Sequence, residues 1–463
     1  MTRVLLVGSG AREHAIASAL ALSSDVELYA AMSSRNPGIM STARDSQVMK
    51  ITDPSMVSDY AKKIRAELAV IGPEAPLVSG VANALTKLGI KCVGPTRELA
   101  LLEGDKAFCR ELMNRHDIAG NPVFGVFEDA DSTESFIRTV GPVAVKPAGL
   151  TGGKGVKISG EDLPSKDSEI SYAKEILRNR IGGWARLVVE ERLDGEEYSM
   201  QAFVDGQDVY AMPLVQDHKR AYENDTGPNT GGMGSYSDRN HLLPFVSPAD
   251  LEASSQIMTD VVHALRKDTG EEYKGVLYGQ FMLARSVNED RPSPKLIEFN
   301  CRFGDPEAMN VLPLLADETS FLEICERIAD GNLRSKHASF LQKASVCKYL
   351  VPAAYPESVQ AGDAISVDEQ AIADEGALLF YASVDIRDGK VVTTASRTLA
   401  LLGIGDTIEN AERVSEKATR HVKGSLRHRT DIGTAELIRK RVDHMRSIEL
   451  TKQVTGTLEA GIR

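Results

Sequence analysis

Short apolar runs alternate with longer segments of mixed polar and apolar positions through the first hundred residues. A helix is predicted from about Arg12, soon after the first run. Apolar runs bounded by turn residues and separated by helical segments are typical of a parallel sheet covered by helices. The pattern therefore predicts an α/β domain at residues 1–103 with a Rossmann-like parallel sheet. The runs occupy residues 4–7, 26–30, 68–71 and 90–93.

A second unit, residues 104–331, has an α+β pattern. The dipeptide Asp205-Gly206 tolerates positive φ and stands between two apolar runs, which favours a tight antiparallel hairpin. A further pair of runs downstream predicts a second hairpin, and a helix lies between the two pairs. The paired runs are residues 199–204 with 209–214 and residues 276–283 with 295–299, and the helix covers residues 248–267.

From about Asn332 the pattern changes to short strands, with a helix after Asp406. This predicts a small α+β domain at residues 332–440. We expect residues 441–463 to form a helical extension or a tail. The chain is thus predicted to be a multidomain protein that combines α/β and α+β units.

Length and charge narrow the class of protein. A chain of 463 residues favours about three domains. Its apolar runs are far shorter than the roughly 20 residues that span a bilayer, and the N-terminus runs directly into a strand, so we expect no membrane segment and a cytoplasmic protein. A net charge of −12 disfavours a nucleic-acid partner, because phosphate-backbone binding needs clustered Lys and Arg.

Cysteine and histidine usage gives little support to transition-metal chemistry. The five cysteines include no C-x-x-C pair, and the nine histidines include no H-E-x-x-H motif. Reduced thiols are the expected state of the cysteines. A metal ion, if one is used, should be bound by oxygen ligands.

The first glycine-rich segment, residues 8–14 (GSGAREH), lies between a predicted strand and a predicted helix. Free backbone N–H groups at such a position can face an anion. A dinucleotide-binding fingerprint requires G-x-G-x-x-G, but Glu13 occupies the third glycine position, which disfavours a nicotinamide cofactor. A structural turn and a phosphate- or substrate-binding loop both remain open.

The second glycine-rich segment, residues 145–156 (VKPAGLTGGKGV), places Lys146 at the end of a strand, before a flexible loop. The order of residues is not that of a P-loop. The pattern therefore favours a mobile flap that closes over a polyphosphate, with Lys146 as the fixed cation. A solvated turn with isolated lysines is the alternative.

Carboxylates cluster at the end of the next apolar strand, in residues 188–197 (VVEERLDGEE). Glu197 can accept charge-assisted hydrogen bonds from ribose hydroxyls, and Glu190 can accept one from an exocyclic amine. From the residues alone, Glu191 and Glu196 fit ordinary surface acids better. The segment therefore favours a linker that binds a nucleoside.

A fourth segment, residues 296–307 (LIEFNCRFGDPE), has polar residues on one face of a strand. Alternation places Glu298, Asn300 and Arg302 together on that face. A carboxylate and a carboxamide two residues apart are hard oxygen ligands that suit Mg²⁺. Arg302 is suited to a substrate carboxylate or a transferring phosphoryl group. The alternative is an ordinary half-buried strand with only a structural role.

A fifth segment combines the basic run at residues 216–220 (QDHKR) with the loop at residues 225–234 (DTGPNTGGMG). Long irregular loops in compact domains are often functional. Its backbone N–H groups beside Lys219 and Arg220 suit a sugar phosphate, although a surface loop is also consistent.

In this order, the lysine-bearing strand, the glycine-rich flap, the E-E-x-L linker and the E-x-N pair resemble an ATP-grasp fold. Further segments resemble the phosphoribosylamine-glycine ligase family, and the likeness covers nearly the whole chain. It implies a central ATP-grasp domain with a mobile lid at about residues 122–190. The segments are residues 7–15 (VGSGAREHA), 72–78 (GPEAPLV), 216–220, 227–234, 298–307 and 428–433 (HRTDIG).

The resemblance implies a carbon-nitrogen ligase of purine biosynthesis that uses ATP as co-substrate and Mg²⁺ or Mn²⁺. Its substrates would be glycine and 5-phosphoribosylamine. By resemblance, Glu298 and Asn300 bind the metal, and Lys146 and Arg302 are catalytic. The ATP-binding residues would be Lys106, Lys146, Gly152, Gly153, Lys154, Gly155, Glu190, Glu191, Leu193 and Glu197. The substrate-binding residues would be Gly10, Arg12, Glu13, Glu74, Pro76, Asp217, Lys219, Asn229, Thr230, Gly231, Gly232, Arg302, Asp305 and Glu307.

The sequence departs from the family pattern at a few positions. Asp105 stands where many relatives have Ser, and Ala148 stands in a segment that is often K-A-D-G. A carboxylate at Asp105 would repel phosphates unless it pointed away from them. The third metal carboxylate of many ATP-grasp enzymes is not evident, since the expected strand positions hold Gln280 and Met282.

The resemblance implies that glycine carboxylate attacks the γ-phosphate of ATP and that the amine of 5-phosphoribosylamine then displaces phosphate from glycyl phosphate. The product would be glycinamide ribonucleotide. Alternatives are a carboxylase of the biotin or aminoimidazole type, a Rossmann oxidoreductase and a non-catalytic nucleotide-binding module. Monomer and homodimer both remain open.

Overall fold

The computed structural model describes residues 1–152, 155–285, 289, 291–357 and 359–460, with side chains described through residue 450. Among these residues, no helix combines the length and the apolar character that crossing a membrane requires. The described chain forms an N-terminal sheet, a lid, a central sheet and a C-terminal sheet.

The N-terminal unit is a five-stranded parallel sheet in the order β3-β2-β1-β4-β5. Its central strands are almost entirely buried because they carry apolar residues on both faces, as expected when helices cover a parallel sheet. This confirms the predicted Rossmann-like sheet. The elements are β1 Thr2–Val7, α1 Ala11–Ala21, β2 Val26–Met32, α2 Pro37–Thr42, β3 Asp45–Val48, α3 Pro54–Ile64, β4 Leu68–Ile71, α4 Glu74–Val78, α5 Val81–Lys87 and β5 Lys91–Val93.

The lid is a four-stranded antiparallel sheet in the order β6-β9-β7-β8, with two helices packed on it. It follows two helices that lead out of the N-terminal unit. Its apolar residues, among them Ile137 and Ile176, form a core cluster separate from that of the rest of the protein. The elements are α6 Leu101–Gly104, α7 Lys106–Arg115, β6 Phe124–Phe127, α8 Ala130–Val140, β7 Val143–Pro147, β8 Lys157–Ile158, α9 Lys166–Asn179 and β9 Leu187–Glu191.

The central sheet has the order β11-β10-β16-β17 and is antiparallel, which confirms both predicted hairpins. The second hairpin has an irregular register next to Gln280, so alternation along its last strand is interrupted. The elements are β10 Gly195–Asp205, β11 Val209–Ala211, β12 Gln216–Asp217, β13 Arg220–Tyr222, β14 Thr226–Asn229, β15 Gly234–Ser237, α10 Pro248–Thr269, β16 Lys274–Ala284, β17 Ser293–Asn300, α11 Glu307–Val311 and α12 Phe321–Asp330.

The C-terminal sheet has the order β12-β15-β18-β23-β20, with β25 also paired to β18. It therefore includes two strands that precede the predicted boundary at residue 332, a connection that the sequence did not indicate. The elements are β18 Ala344–Pro352, β19 Ser366–Val367, α13 Glu369–Asp374, β20 Leu378–Tyr381, β21 Val384–Arg387, β22 Lys390–Thr393, β23 Leu399–Gly405, α14 Ile408–Ala418, β24 Val422–Lys423, β25 Leu426–Arg427 and α15 Ala435–Ala460.

Candidate functional site

A cleft opens where the lid, the end of β17 and the start of α7 meet. Most of the sequence segments with candidate chemistry contribute to its wall. Arg302 lines the cleft, and so does Glu190, the partner of Lys146. Its residues are Glu74, Leu102, Glu103, Lys106, Cys109, Arg110, Leu150, Thr151, Gly152, Val156, Glu190, Ile297, Glu298, Phe299, Asn300 and Arg302.

Lys146 lies beside this cleft, almost fully buried, and donates to Glu190 Oε2 over 2.6 Å. Arg110 on α7 donates to both oxygens of the same carboxylate, from Nε over 2.8 Å and from Nη2 over 3.1 Å. Burial alone would raise the pKa of Glu190, but Arg110 and Lys146 outweigh burial and lower it. Two cations share one carboxylate, so the cluster keeps a net positive charge that suits phosphates.

Three charge-assisted hydrogen bonds thus occupy Glu190. Its carboxylate holds the lysine and the arginine in place before any ligand is considered. A direct contact between Glu190 and adenosine stays a prediction, and it would have to share these oxygens with the two cations.

Glu298 and Asn300 stand next to each other at the end of β17 and both line the cleft. Among the contacts of the described residues, the Glu298 carboxylate has neither a hydrogen bond nor an ion pair, although it is half-buried. Asn300 Oδ1 accepts from Arg302 Nη2 over 3.0 Å. The Glu298 carboxylate interacts with Arg110 and Lys219 through charge rather than through direct contact. Together with Asn300 Oδ1 it offers hard oxygen donors that suit a divalent cation.

Arg302 is held by two carboxylates. Its Nε donates to Glu74 Oε2 over 3.1 Å, and its Nη2 lies 3.1 Å from Glu103 Oε1. The guanidinium of Arg302 lowers the pKa of Glu74 to about 2, whereas burial raises the pKa of Glu103. Glu103 also accepts from the backbone N–H of Cys301 over 2.7 Å. The arginine is therefore fixed in one orientation at the cleft wall.

The N-terminal glycine segment reaches the same region through Arg12. The Nη1 of Arg12 donates to the carbonyl of Phe303 over 3.1 Å, and its Nε donates to Glu13 Oε1 over 2.6 Å. Glu13 Oε2 accepts from the backbone N–H of Gly10 over 2.6 Å. Glu13 therefore satisfies an N–H at the start of α1 that a phosphate would otherwise use.

Glu13 is also the reason why glycine stands at position 72. A Cβ at Gly72 would lie 2.2 Å from Glu13 Oε1, which is a severe overlap. Gly72 precedes α4, where Glu74 faces Arg302 and Pro76 is buried. The Glu13 side chain thus joins the loop after β1 to the loop after β4, which is where the sequence predicted substrate-binding residues.

Asp105 points away from the cleft. Its Oδ1 caps α7 by accepting from the backbone N–H groups of Ala107 over 2.9 Å and Phe108 over 3.3 Å. Arg186 lies 3.4 Å from its other oxygen. Lys106, the next residue, lines the cleft and donates to the carbonyl of Gly149 over 3.3 Å. The departure at Asp105 is thus accommodated as a helix cap.

Glu197 begins a polar chain that leads from the linker to the substrate segment. Lys219 Nζ and Gln280 Nε2 each donate to Glu197 Oε2 over 2.9 Å. Burial would lower the pKa of Lys219, but Glu197 and Asp217 outweigh it and raise that pKa. Burial raises the pKa of Asp217. The ammonium of Lys219 therefore stays charged between two acids.

Arg397, from the C-terminal sheet, joins two of the predicted substrate segments. Its Nη1 donates to the carbonyls of Gly231 over 2.7 Å, Gly232 over 3.1 Å and Asp305 over 3.0 Å. Its guanidinium carbon lies 4.4 Å from the ring centroid of Tyr349, and Tyr349 donates a hydrogen bond to the Asp305 carboxylate. One partly buried arginine thus fixes two loops that are far apart in sequence.

The loop at residues 226–234 packs tightly against the segment that Arg397 holds. Gly232 has φ of +109°, and a Cβ there would lie 2.9 Å from Pro306 Cδ. Thr230 donates to the carbonyl of Lys219 from both its N–H and its hydroxyl, each over 2.8 Å. Asn229 pairs with Arg220 across β13 and β14. These contacts place residues 229–232 against the strand at Arg220 and against Pro306.

Glu307 is buried at the start of α11 and accepts from Tyr278 Oη over 2.9 Å. Burial and the nearby Asp217 raise the pKa of Glu307 to about 7. Tyr278 Oη also lies within hydrogen-bond distance of the Gln280 side-chain oxygen, so the side chains of Glu307, Tyr278, Gln280 and Glu197 form one polar chain.

Other predicted site residues differ in how closely they approach the cleft. Gly152 lines it, and Glu191 accepts from the backbone N–H of Val123 over 2.9 Å, outside the lining. Leu193 lies between β9 and β10, in the linker. Gly155 donates its N–H to Thr151 Oγ1 over 3.2 Å. The predictions for Gly153 and Lys154 lie outside the described residues.

Sequence reasoning missed three residues that organise the site. Arg110 pairs with Glu190, the partner of Lys146, and Glu103 pairs with Arg302. Arg397 holds the loop backbone at Gly231. The sequence contains one indication of the role of Arg110, because this charged residue stands among the buried positions of α7. A single sequence contains no comparable indication for Glu103 or Arg397.

Family comparison accounts for nearly the whole chain. Three models of phosphoribosylglycinamide synthetase match: the N domain over residues 2–103, the ATP-grasp (A) domain over residues 104–308 and the C domain over residues 345–435. A phosphoribosylamine–glycine ligase of Methanothermobacter thermautotrophicus is 51% identical over 96% of this chain and 99% of its own length. One of Methanopyrus kandleri is 51% identical over 97% of this chain and 99% of its own length.

Solved structures agree on the fold. The phosphoribosylamine–glycine ligase of Thermotoga maritima has a TM-score of 0.77 and 27% identity, and the alignment covers 93% of this chain and all of that one. The biotin carboxylase domain of Hydrogenobacter thermophilus 2-oxoglutarate carboxylase has a TM-score of 0.69, with 96% and 94% coverage. At 16% identity, the second likeness concerns the fold alone.

Proposed function

This chain belongs to the phosphoribosylglycinamide synthetase family, and on that premise we propose that it ligates glycine to 5-phosphoribosylamine at the expense of ATP. The products are glycinamide ribonucleotide, ADP and phosphate, in the second step of de novo purine biosynthesis. The reaction passes through glycyl phosphate. The observation that carries the proposal is one cleft in which a cationic cluster, two oxygen donors and a clamped arginine meet.

The nucleotide lies between the lid and the central sheet. Lys146 and Lys106 face its phosphates, and the linker at residues 190–197 holds its adenosine. The charge balance at Lys146 supports this arrangement, because Arg110 neutralises Glu190 and leaves the lysine charge for phosphate. The separate core of the lid supports its movement as a unit when nucleotide enters.

Glu298 and Asn300 would hold Mg²⁺ or Mn²⁺. Two protein oxygens are a small set, but Mg²⁺ commonly completes its coordination with phosphate oxygens and water. When bound, the metal neutralises charge that develops on the transferred phosphoryl group. The residue at the expected third position, Gln280, instead donates to Glu197, so it orients the linker acid rather than adding a charge.

Arg302 binds the carboxylate of glycine and stabilises the acyl phosphate. Glu74 and Glu103 fix the guanidinium, and Asn300 and the carbonyl of Phe303 accept further N–H groups from it. The second N–H of Nη1 therefore points in a set direction before substrate arrives. The glycine carboxylate oxygen attacks the γ-phosphorus, and the bond to ADP breaks. Catalysis depends mainly on alignment of the reactants and exclusion of water, since no enzyme nucleophile takes part.

5-Phosphoribosylamine lies across the loops at residues 10–13, 74–76, 217–219 and 229–232. Its amine attacks the acyl carbon, phosphate leaves, and the nitrogen loses a proton as the amide forms. Lys219 supplies a cation within this group, and Arg397 fixes the loop backbone. Asp305 and Glu307 meet glycine at the junction of the two substrates.

The test is a complete assay with purified protein, ATP, Mg²⁺, freshly made 5-phosphoribosylamine and single amino acids. ADP release that requires both glycine and 5-phosphoribosylamine, with an equal amount of glycinamide ribonucleotide, is the expected result. Nucleotide binding without that product would contradict the substrate assignment and leave the ATP-grasp fold in place.

A further inference from the structure

The lid carries an acidic side chain at the turn after β8. Glu161 follows Gly160, whose φ is +80°, and this turn is closed by hydrogen bonds to Ile158 and Leu163. The Glu161 carboxylate accepts from Arg220 Nη2 over 2.6 Å. Arg220 belongs to β13, outside the lid, so this bond crosses from the lid to the body of the protein.

Arg220 has a second partner in the loop proposed to bind 5-phosphoribosylamine. Its Nη1 donates to the carbonyl of Gly227 over 3.0 Å. The planar guanidinium therefore bonds the lid with one nitrogen and the substrate loop with another. A change in the position of Glu161 thus changes a side chain that supports the loop backbone.

The body side of this bridge is rigid. The carbonyl of Arg220 accepts from Arg429 Nη1 over 3.0 Å, and the Arg429 side chain is fully buried. Arg429 Nη1 also donates to Asp225 Oδ1 over 2.9 Å at the start of the loop. Because the Arg220 side chain is already held by its bond to the Gly227 carbonyl, less side-chain entropy is lost when it pairs with Glu161 than in an ordinary surface ion pair.

The linker at residues 190–197 also contacts this turn of the lid. Arg192, which directly follows β9, donates from Nη1 to the carbonyl of Ser159 over 2.9 Å, and its Nη2 lies 3.8 Å from Glu161 Oε1. One carboxylate on the lid thus lies between an arginine of the nucleotide linker and an arginine of the substrate segment.

We infer that Glu161 is a positioning residue whose pair with Arg220 couples closure of the lid over the nucleotide to ordering of the substrate loop at residues 221–231. The inference rests on the proposed function for the identity of the two sites. It adds that nucleotide binding prepares the site of the second substrate through one contact. By linkage, each ligand then raises the affinity for the other.

Hydrogen exchange measures this coupling without requiring turnover. The probe is ADP with Mg²⁺ at saturating concentration, and the readout is amide exchange in the peptide covering residues 221–231. In the wild-type protein we expect nucleotide to slow exchange there. In Glu161→Gln the slowing should be lost, although the nucleotide still binds. The control is Glu175→Gln, an exposed lid glutamate with no hydrogen bond or ion pair among the described contacts.

A double-mutant cycle on MgADP affinity tests the pair itself. Glu161→Gln and Arg220→Gln should each weaken binding by about two- to fivefold, as expected for a partly exposed charged pair. The double variant should bind MgADP no more weakly than the weaker-binding single variant. Thermal unfolding of each variant guards against simple misfolding, because loss of a partly exposed ion pair should change the overall stability little.

Unchanged loop protection in Glu161→Gln, or additive effects in the cycle, would overturn the inference. Failure of the proposed function is a separate result. A wild-type protein that shows nucleotide-dependent loop protection but makes no glycinamide ribonucleotide would refute the substrate assignment and leave the coupling intact.

Discussion

Lys146 Nζ and Glu190 Oε2 lie 2.6 Å apart on adjacent strands of the lid, and both residues are at most 5% exposed. A buried carboxylate at this distance fixes the ammonium in one place. It would also cancel the lysine charge if Arg110 did not pair with the same carboxylate. The cleft thus presents a lysine that is both immobile and charged, and this arrangement makes the first prediction specific.

Lys146→Met should reduce kcat by about 10²–10³-fold, because it removes one preorganised charge from the phosphoryl-transfer site. Glu190 keeps Arg110 as a partner, so the fold should survive. The measurement is glycine-dependent ADP release, with thermal unfolding as a check of folding. Lys87→Met, at an exposed lysine, is the matched control and should behave as wild type. Full turnover by Lys146→Met would refute its catalytic role.

Glu298→Gln should raise the Mg²⁺ concentration needed for half-maximal activity by at least about tenfold, since a neutral amide is a poorer ligand for a hard cation. Activity should recover in part at high metal concentration. Metal titrations of ADP release measure this shift. Glu318→Gln, an exposed position of equal charge, controls for the change in net charge. An unchanged metal requirement would exclude Glu298 from the metal site.

Arg397→Met should raise KM for 5-phosphoribosylamine by about tenfold and leave KM for ATP nearly unchanged. The variant loses the hydrogen bonds to the carbonyls of Gly231, Gly232 and Asp305, each worth about 1.5–3 kcal/mol when the donor is charged. Arg397→Lys keeps the charge without the planar fork and should recover little. Equal changes in both KM values would indicate a general loss of structure instead.

Asp105→Ala should destabilise the protein by about 1 kcal/mol, because the backbone N–H groups of Ala107 and Phe108 lose their cap. Asp105→Ser should keep most of the stability, since serine also caps helices. Denaturant unfolding of the three proteins measures the difference. A marked gain in ATP affinity for Asp105→Ser would contradict the position of this carboxylate at the helix cap, outside the lining of the cleft.

His14 predicts a dependence of stability on pH. Burial lowers its pKa to about 4, and its Nδ1 accepts from the backbone N–H of Tyr381 over 2.9 Å. Since the unfolded chain binds a proton at about pH 6.5 and the folded protein does not, stability should be complete above that pH and fall toward pH 4.

The slope from one such group is at most about 1.4 kcal/mol per pH unit. Denaturant unfolding of wild type and His14→Gln at pH 7.5, 6 and 5 measures it, and the variant should show a shallower loss. His263→Gln is the control, because that histidine is exposed on α10. Identical slopes for wild type and His14→Gln would refute the assignment.

The sequence by itself determined the local elements and the order of the chemical segments. Apolar runs bounded by turn residues and the turn at Asp205-Gly206 specified the strands and hairpins, because neighbours along the chain decide strand length and turn geometry. The polar face at residues 298–302 followed from the same periodicity. The type of nucleotide-binding fold could therefore be predicted from the order of motifs.

Only the tertiary structure decided which groups stand opposite each other. Arg110 meets Glu190, Glu103 meets Arg302, and Arg397 meets the 231–232 backbone, across 80, 199 and at least 165 positions of the chain. It also decided that β15 joins β18 in one sheet across the predicted domain boundary. Such pairings follow from packing of whole elements, which local propensity and periodicity do not specify, and they set the charge and orientation of every residue at the site.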